Sequence, residues 1–229
     1  MLQAVIFDFD GLIMDTEYPY YDSWREVYAS FGLFLALPEW AALIGKGAAV
    51  LARTPYEDIE NRVGRSLDHS FIRAKRRAAF DRLMARETVL PGVEALITDA
   101  QQHNLLLAVA SSSPRDWVKG YLDRLGLSER FQAICCGDEV AQTKPAPDLY
   151  HAALRTLGVR AENAVALEDS AHGIAAAKAA DLLCVAVPNR ITLTTNLSGA
   201  DIQVESLQDL SVERLHHLHA YHSVKTVSP

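Results

Sequence analysis

The segment Ala4-Val5-Ile6-Phe7-Asp8-Phe9-Asp10-Gly11 joins four apolar residues in a row to two carboxylates bracketing an aromatic, then a glycine. A short unbroken apolar run reads as a parallel strand buried on both faces. Carboxylates at its end lie where open α/β sheets bind ligands, outside the carboxyl edge of the strands. In an extended chain Asp8 and Asp10 point to the same side, with Phe9 turned into the core. Like charges that close raise one another's pKa unless a cation intervenes, so either a metal or a shared proton is implied. Gly11 lets the backbone turn sharply just after the pair.

Similar apolar runs recur at Leu105 to Ala110, Ala133 to Cys136, Ala164 to Leu167 and Leu182 to Val187. Most are separated by helix-length segments, Pro114 to Leu125, Asp148 to Leu157 and Ala171 to Ala180. The alternation predicts an α/β fold with a Rossmann-like, doubly wound parallel sheet. From about Tyr18 to Val89 the rhythm breaks into helical patterns only, at Tyr21 to Phe31, Tyr56 to Val63 and Asp68 to Arg86. An all-helical insertion therefore follows the first strand. Leu90-Pro91-Gly92 marks the return, ahead of a helix over Val93 to His103. The expected division is a core of residues 1–16 and 90–229 with a helical domain at 17–89, which suits 229 residues, long for one domain and short for two.

With 49% hydrophobic and 22% charged residues the chain can bury a full core, which excludes disorder. A net charge of −7 disfavours general nucleic-acid binding. The charge is uneven, because residues 62–86 carry +6 and leave −13 for the rest. That stretch reads as a solvated helix face or as a basic lobe attracting anionic substrates. Cys135, Cys136 and Cys184 are too few and too badly spaced for a disulfide scaffold or a zinc site, so buried reduced thiols are expected. The start of the chain has no basic n-region or cleavage site, and no apolar run approaches the ~18 residues of a membrane span, so a cytoplasmic protein is expected. The tail Leu215 to His222 holds four of eight histidines; His216 and His219 could share one helix face as a metal pair, but a surface helix end with solvated imidazoles is the better reading.

The other predicted strand ends carry chemistry too. Ser111-Ser112-Ser113 follows the second, with hydroxyls and backbone N–H groups ahead of a helix, suited to an anionic oxygen. Lys144, between Thr143 and Pro145, follows the third, and Glu168-Asp169-Ser170 follows the fourth. A hydroxyl and a lysine bind phosphate, while carboxylates from two strands make a hard-oxygen site fit for Mg²⁺. Together they suggest phosphoryl transfer with a carboxylate nucleophile and a second carboxyl exchanging protons.

Four segments carry a resemblance: F-D-F-D-G-L-I-M-D-T-E (Phe7 to Glu17), Ala110 to Ser113, K-P-A-P-D-L-Y (Lys144 to Tyr150) and L-E-D-S (Leu167 to Ser170). In this order they resemble the motifs of the haloacid dehalogenase superfamily, in its Mg²⁺-dependent phosphatase branch with a helical cap after the first strand. The resemblance implies that Asp8 is the nucleophile and Asp10 the general acid/base. It implies Mg²⁺ on the Asp8 carboxylate, the Asp10 backbone carbonyl and Asp169, with Glu168 a nearby or alternative ligand. Ser111, Ser112 and Lys144 become the phosphate-binding candidates. Asp10 argues for phosphate esters, since dehalogenases and phosphonate-cleaving members lack an aspartate there. Asp15 is expected to shape the start of the cap linker. The chain departs from the pattern at Ala180-Asp181, where Ala-Gly is usual, which is expected to affect a turn only.

In capped relatives a cap loop touches the substrate beyond the phosphate, and Gly45-Lys46-Gly47 is the candidate here. The expected partner is a small phosphorylated substrate such as a sugar phosphate, met by a monomer or small homo-oligomer with no nucleic acid and no membrane. Hexose phosphate mutases of the same family are the alternative, but they usually carry an arginine where Ala48 and Ala49 stand. A phospho-acceptor signalling module is a distant third, since such modules lack the helical insertion.

Overall fold

The computed structural model describes residues 1–44 and 54–227. Six parallel strands form one sheet: β1 Ala4–Phe7, β2 Leu106–Ala110, β3 Ala133–Cys135, β4 Ala164–Glu168, β5 Leu183–Ala186 and β6 Ile202–Gln203. Their order is β3-β2-β1-β4-β5-β6, so the chain winds outward from β1 in both directions. β1 pairs with β2 (Phe7 opposite Val109) and with β4 (Phe7 opposite Leu167), which sets Asp8 in the crevice where the winding reverses. Every residue of β1 and β4 is buried, the burial that the unbroken apolar runs anticipate.

The chain separates into two compact units, Met1–Met14, Thr88–Asn189 and Asn196–Pro229 in the first, and Asp15–Glu87 and Arg190–Thr195 in the second. The first unit holds the sheet with α5 Val93–Gln102, α6 Arg115–Arg124, α7 Asp148–Leu157, α8 Ala171–Ala179 and α9 Val212–Val227. Its core is rich in alanine: Ala4, Ala108, Ala166, Ala176, Ala177 and Ala186 are all fully buried. Small side chains on strand and helix alike let α8 settle close to the sheet. Asp181 takes a left-handed φ of 58° in the turn leaving α8, the conformation a glycine adopts freely and an aspartate tolerates.

The second unit holds α1 Glu17–Ala29, α2 Leu37–Ile44, α3 Pro55–Val63 and α4 His69–Met84. Tyr21, Trp24, Val27 and Tyr28 of α1 pack with Ile59, Ile72 and Ile191. α3 starts on a reciprocal cap, in which Thr54 Oγ1 accepts from Glu57 N–H and the Glu57 carboxylate accepts from Thr54 N–H. Much of the basic stretch is paired at the surface: Arg77 with Asp81 (2.8 Å), Arg82 with Glu26 (2.6 Å) and Arg62 with Asp58 (2.8 Å). For these three arginines the solvated helix face is the better description, and exposed pairs of this kind add little stability.

Several expectations need correcting. α1 begins at Glu17, four residues before the predicted start, because Pro19 falls in the first turn where no intrahelical N–H bond is lost. β6 and α2 add elements that sequence patterns do not reveal. The histidine-rich tail is not uniformly solvated: Val212, Leu215 and His219 face inward, and His219 Nε2 lies 2.7 Å from the Glu162 carbonyl. All three cysteines are buried and unbridged. Among the described residues no helix is long and apolar enough to cross a membrane.

Candidate active site

Asp8, Ser111, Glu168 and Asp169 all lie at strand ends of the first unit. Asp8 leaves β1 with its N–H donated to Leu167 O (3.0 Å), so the next strand fixes where its carboxylate points. The third-motif loop brings Lys144 to it, with Nζ 2.5 Å from Asp8 Oδ1 and 2.5 Å from Glu168 Oε1. The lysine side chain is 5% exposed, so this is a buried ammonium between two carboxylates. Tyr150 OH donates to the same Glu168 Oε1 (2.6 Å), and its ring lies 5.1 Å from the Lys144 nitrogen. The sequence reading gave Tyr150 no role, although it closes the third motif.

Asp169 stands beside them, and Asp8, Glu168 and Asp169 each offer an oxygen within 4.8 Å of the others. Three buried carboxylates against one ammonium leave an excess of negative charge. Burial raises the Asp8 carboxyl above the usual range, Lys144 opposes the rise, and Glu168 and Asp10 add to it. Burial alone would lower the Lys144 ammonium, yet Asp8 and Glu168 hold it above the ordinary lysine value. Such a cluster of hard oxygens fits a divalent cation, which would cancel the excess.

Asn189, just past β5, is a member of the site that sequence reasoning missed. Its Nδ2 donates to Asp169 Oδ2 (2.6 Å) and to Gly11 O (3.3 Å), tying the fourth motif to the first. The available signal was its position, immediately beyond the end of a fifth strand. Gly11 has φ +85°, and a Cβ there would overlap Asp169 Oδ2 and Asn189 Nδ2. A Cβ on Gly173, in the first turn of α8, would overlap the Glu168 carboxyl. Gly173→Ala gains roughly 1 kcal/mol of helix propensity. Overpacking costs about 1–3 kcal/mol, so a lower melting temperature and displacement of Glu168 from Lys144 are expected. Thermal unfolding compared with that of an exposed Gly120→Ala control checks it.

Asp10 is held by donors from the second motif and from α6. Its Oδ2 accepts from the hydroxyls of Ser111 (3.1 Å) and Ser113 (2.7 Å), and its Oδ1 accepts from Trp117 Nε1 (2.9 Å). Ser111 is buried and its N–H is anchored to Cys135 O (3.0 Å). Ser112 is exposed and takes no part in this network among the described residues. Gly45, Lys46 and Gly47, the specificity candidates, lie outside the described residues. Asp15 belongs to the second unit, where Oδ1 accepts from Tyr18 N–H at the start of α1 and Oδ2 accepts from Arg190 Nη2 (2.6 Å).

A Bacillus subtilis protein named "Putative phosphatase YhcW" is 39% identical over 94% of this chain and 96% of its own length. A variant of CbbY from Rhodobacter sphaeroides, solved with xylulose-1,5-bisphosphate, superposes with a TM-score of 0.67 at 32% identity, covering 92% of this chain and 96% of that one. β-Phosphoglucomutase from Clostridium difficile superposes with a TM-score of 0.71 at 26% identity, over 98% of this chain and 100% of that one. The model of a family described as haloacid dehalogenase-like hydrolase matches residues 5–187, the span from β1 to just past β5 that carries all four strand-end motifs, and the chain belongs to that family.

Proposed function

We propose that the protein is a Mg²⁺-dependent phosphatase that hydrolyses a small phosphorylated metabolite, a sugar phosphate or close relative, through an aspartyl phosphate on Asp8. The observation that carries this reading is the buried set Asp8, Glu168 and Asp169 with Lys144 2.5 Å from two of them. A carboxylate nucleophile needs a positive surround before an anionic phosphate can approach it. Lys144 supplies one charge. Asp8, Asp169, Glu168 and the Asp10 backbone carbonyl would hold Mg²⁺, which when bound polarises the phosphoryl oxygens and neutralises the remaining carboxylate charge.

Asp8 attacks phosphorus while Lys144 and Ser111 orient the phosphoryl oxygens. Asp10 gives its proton to the departing oxygen, then takes one from the water that attacks the aspartyl phosphate. Ser112 is a further phosphate contact, and Lys46 between Gly45 and Gly47 meets the rest of the substrate. Residues 17–89 serve as the cap domain, with residues 1–16 and 90–229 as the catalytic core. Three unbridged thiols suit the reducing cytoplasm.

The test is a screen of inorganic phosphate release from sugar phosphates, nucleotides and phosphoglycolate. Steady turnover with Mg²⁺ that stops on chelation is expected, and turnover that survives exhaustive chelation would sink the metal assignment. The likeness to β-phosphoglucomutase keeps one second reading open. Isomerisation of glucose 1-phosphate with no phosphate released would establish a mutase instead.

A further inference from the structure

Asp10 is gripped by a helix that none of the four motifs includes. Trp117 lies in the first turn of α6, half-buried, and its indole N–H points at Asp10 Oδ1. The ring packs edge-on against Tyr121 (4.6 Å between centroids), Tyr121 carries the Arg124 guanidinium 4.7 Å above its ring, and Arg124 Nη2 reaches Met14 Sδ (3.6 Å). Residues 117, 121 and 124 follow the spacing of one helix face. The turn they touch is a closed unit, because Gly11 N–H donates to Met14 O (2.8 Å). One face of α6 thus holds the 10–14 turn at both ends, Asp10 at the start and Met14 at the finish.

The donors on the two oxygens of Asp10 differ in kind. An indole nitrogen is a donor only and can never accept a proton. A hydroxyl donates or accepts by rotating. Trp117 N–H can therefore hold Oδ1 in either protonation state of the carboxyl, while the Ser111 and Ser113 hydroxyls turn to follow the proton. We infer that Trp117 is a positioning residue for Asp10, fixing the plane of its carboxyl for proton exchange with the leaving oxygen and the attacking water.

The inference rests on the acid/base reading of Asp10 given above. In the first step the Asp10 carboxyl gives its proton to the bridging oxygen as the phosphorus–oxygen bond breaks, and the phosphoryl group passes to Asp8. In the second, the Asp10 carboxylate takes a proton from water as the water oxygen bonds to phosphorus and the bond to Asp8 breaks. Trp117 N–H stays a donor to Oδ1 throughout.

Trp117→Phe keeps a ring against Tyr121 and deletes only the donor, and it is assayed with Mg²⁺ on phenyl phosphate and p-nitrophenyl phosphate. kcat/KM reports the steps up to leaving-group departure, where phenolate needs a proton far more than p-nitrophenolate does. The expected result is about a tenfold loss on phenyl phosphate, a portion of the ~10²–10⁴-fold worth of an acid catalyst, with less than about a threefold change on p-nitrophenyl phosphate. The ratio of the two values does not depend on the concentration of folded enzyme, so a partly misfolded variant still answers. Equal losses on both esters, or no loss, would overturn the inference. Asp10→Asn separates the two claims: the same selectivity at larger amplitude upholds the acid role whatever Trp117→Phe shows, and equal losses in Asp10→Asn remove the reading on which the inference stands.

Discussion

Asp8→Asn is expected to fold, to bind inorganic phosphate and to turn over no substrate. The amide is nearly isosteric but is no nucleophile, and losing the group that forms the covalent bond costs on the order of 10⁴–10⁶ in kcat. Stability should move the other way. Burial raises the Asp8 carboxyl in the folded protein above its value in the unfolded chain. An acid shifted in that direction destabilises the fold as pH rises from the ordinary carboxylate range through the raised value, because only the unfolded state ionises it freely. In chelator at pH 8, therefore, Asp8→Asn should melt a few degrees higher than the parent, at about 2–4 °C per kcal/mol for a chain of this size. The gain should fade as pH falls through ~4, below which both states hold the proton. Phosphate release and thermal unfolding across pH check the two halves. A variant with appreciable activity would end the assignment of Asp8 as nucleophile.

Lys144→Met should lose both activity and stability. The methionine fills a similar volume, but Asp8 and Glu168 are left facing each other in a buried site with no cation between them. Removing one partner from a buried ion pair costs about 3–5 kcal/mol, a drop of roughly 6–20 °C in melting temperature. Loss of one cation from the phosphoryl site should lower kcat a further ~10²–10³-fold, the scale of losing a single preorganised donor to a developing oxyanion. Mg²⁺ should raise the melting temperature of Lys144→Met more than that of the parent, since the cation then relieves more carboxylate repulsion. Equal shifts with and without Mg²⁺ in the two proteins would show that the ion does not sit among these carboxylates.

The strand-end residues were legible because each breaks a hydrophobic run abruptly, and a carboxylate or lysine at such a break has few structural reasons to be there. Asp8, Glu168 and Asp169 come from strands more than 150 residues apart in sequence and still meet, as the doubly wound order requires. What stayed hidden depends on partners rather than pattern. Asn189 is an ordinary loop residue until β5 brings it to Asp169. Trp117 reads as helix filler until α6 turns its N–H to Asp10. β6 has two residues, too few for any period to register. His219 was misread because four histidines suggested solvent, although its spacing from Val212 and Leu215 already placed it on an inward face.

Residues 190–195 return to the helical unit late in the chain, where Arg190 pairs with Asp15 and stacks 3.9 Å over Tyr18, and Ile191 joins the apolar cluster of α1 and α3. The helical unit is therefore not a cassette. A chimera made by transplanting 15–87 alone into another scaffold would carry Asp15 without its guanidinium and an apolar cluster missing one member. Modular exchange among relatives has to move two stretches together, which ties the inheritance of the inserted segment to a hexapeptide about a hundred residues downstream.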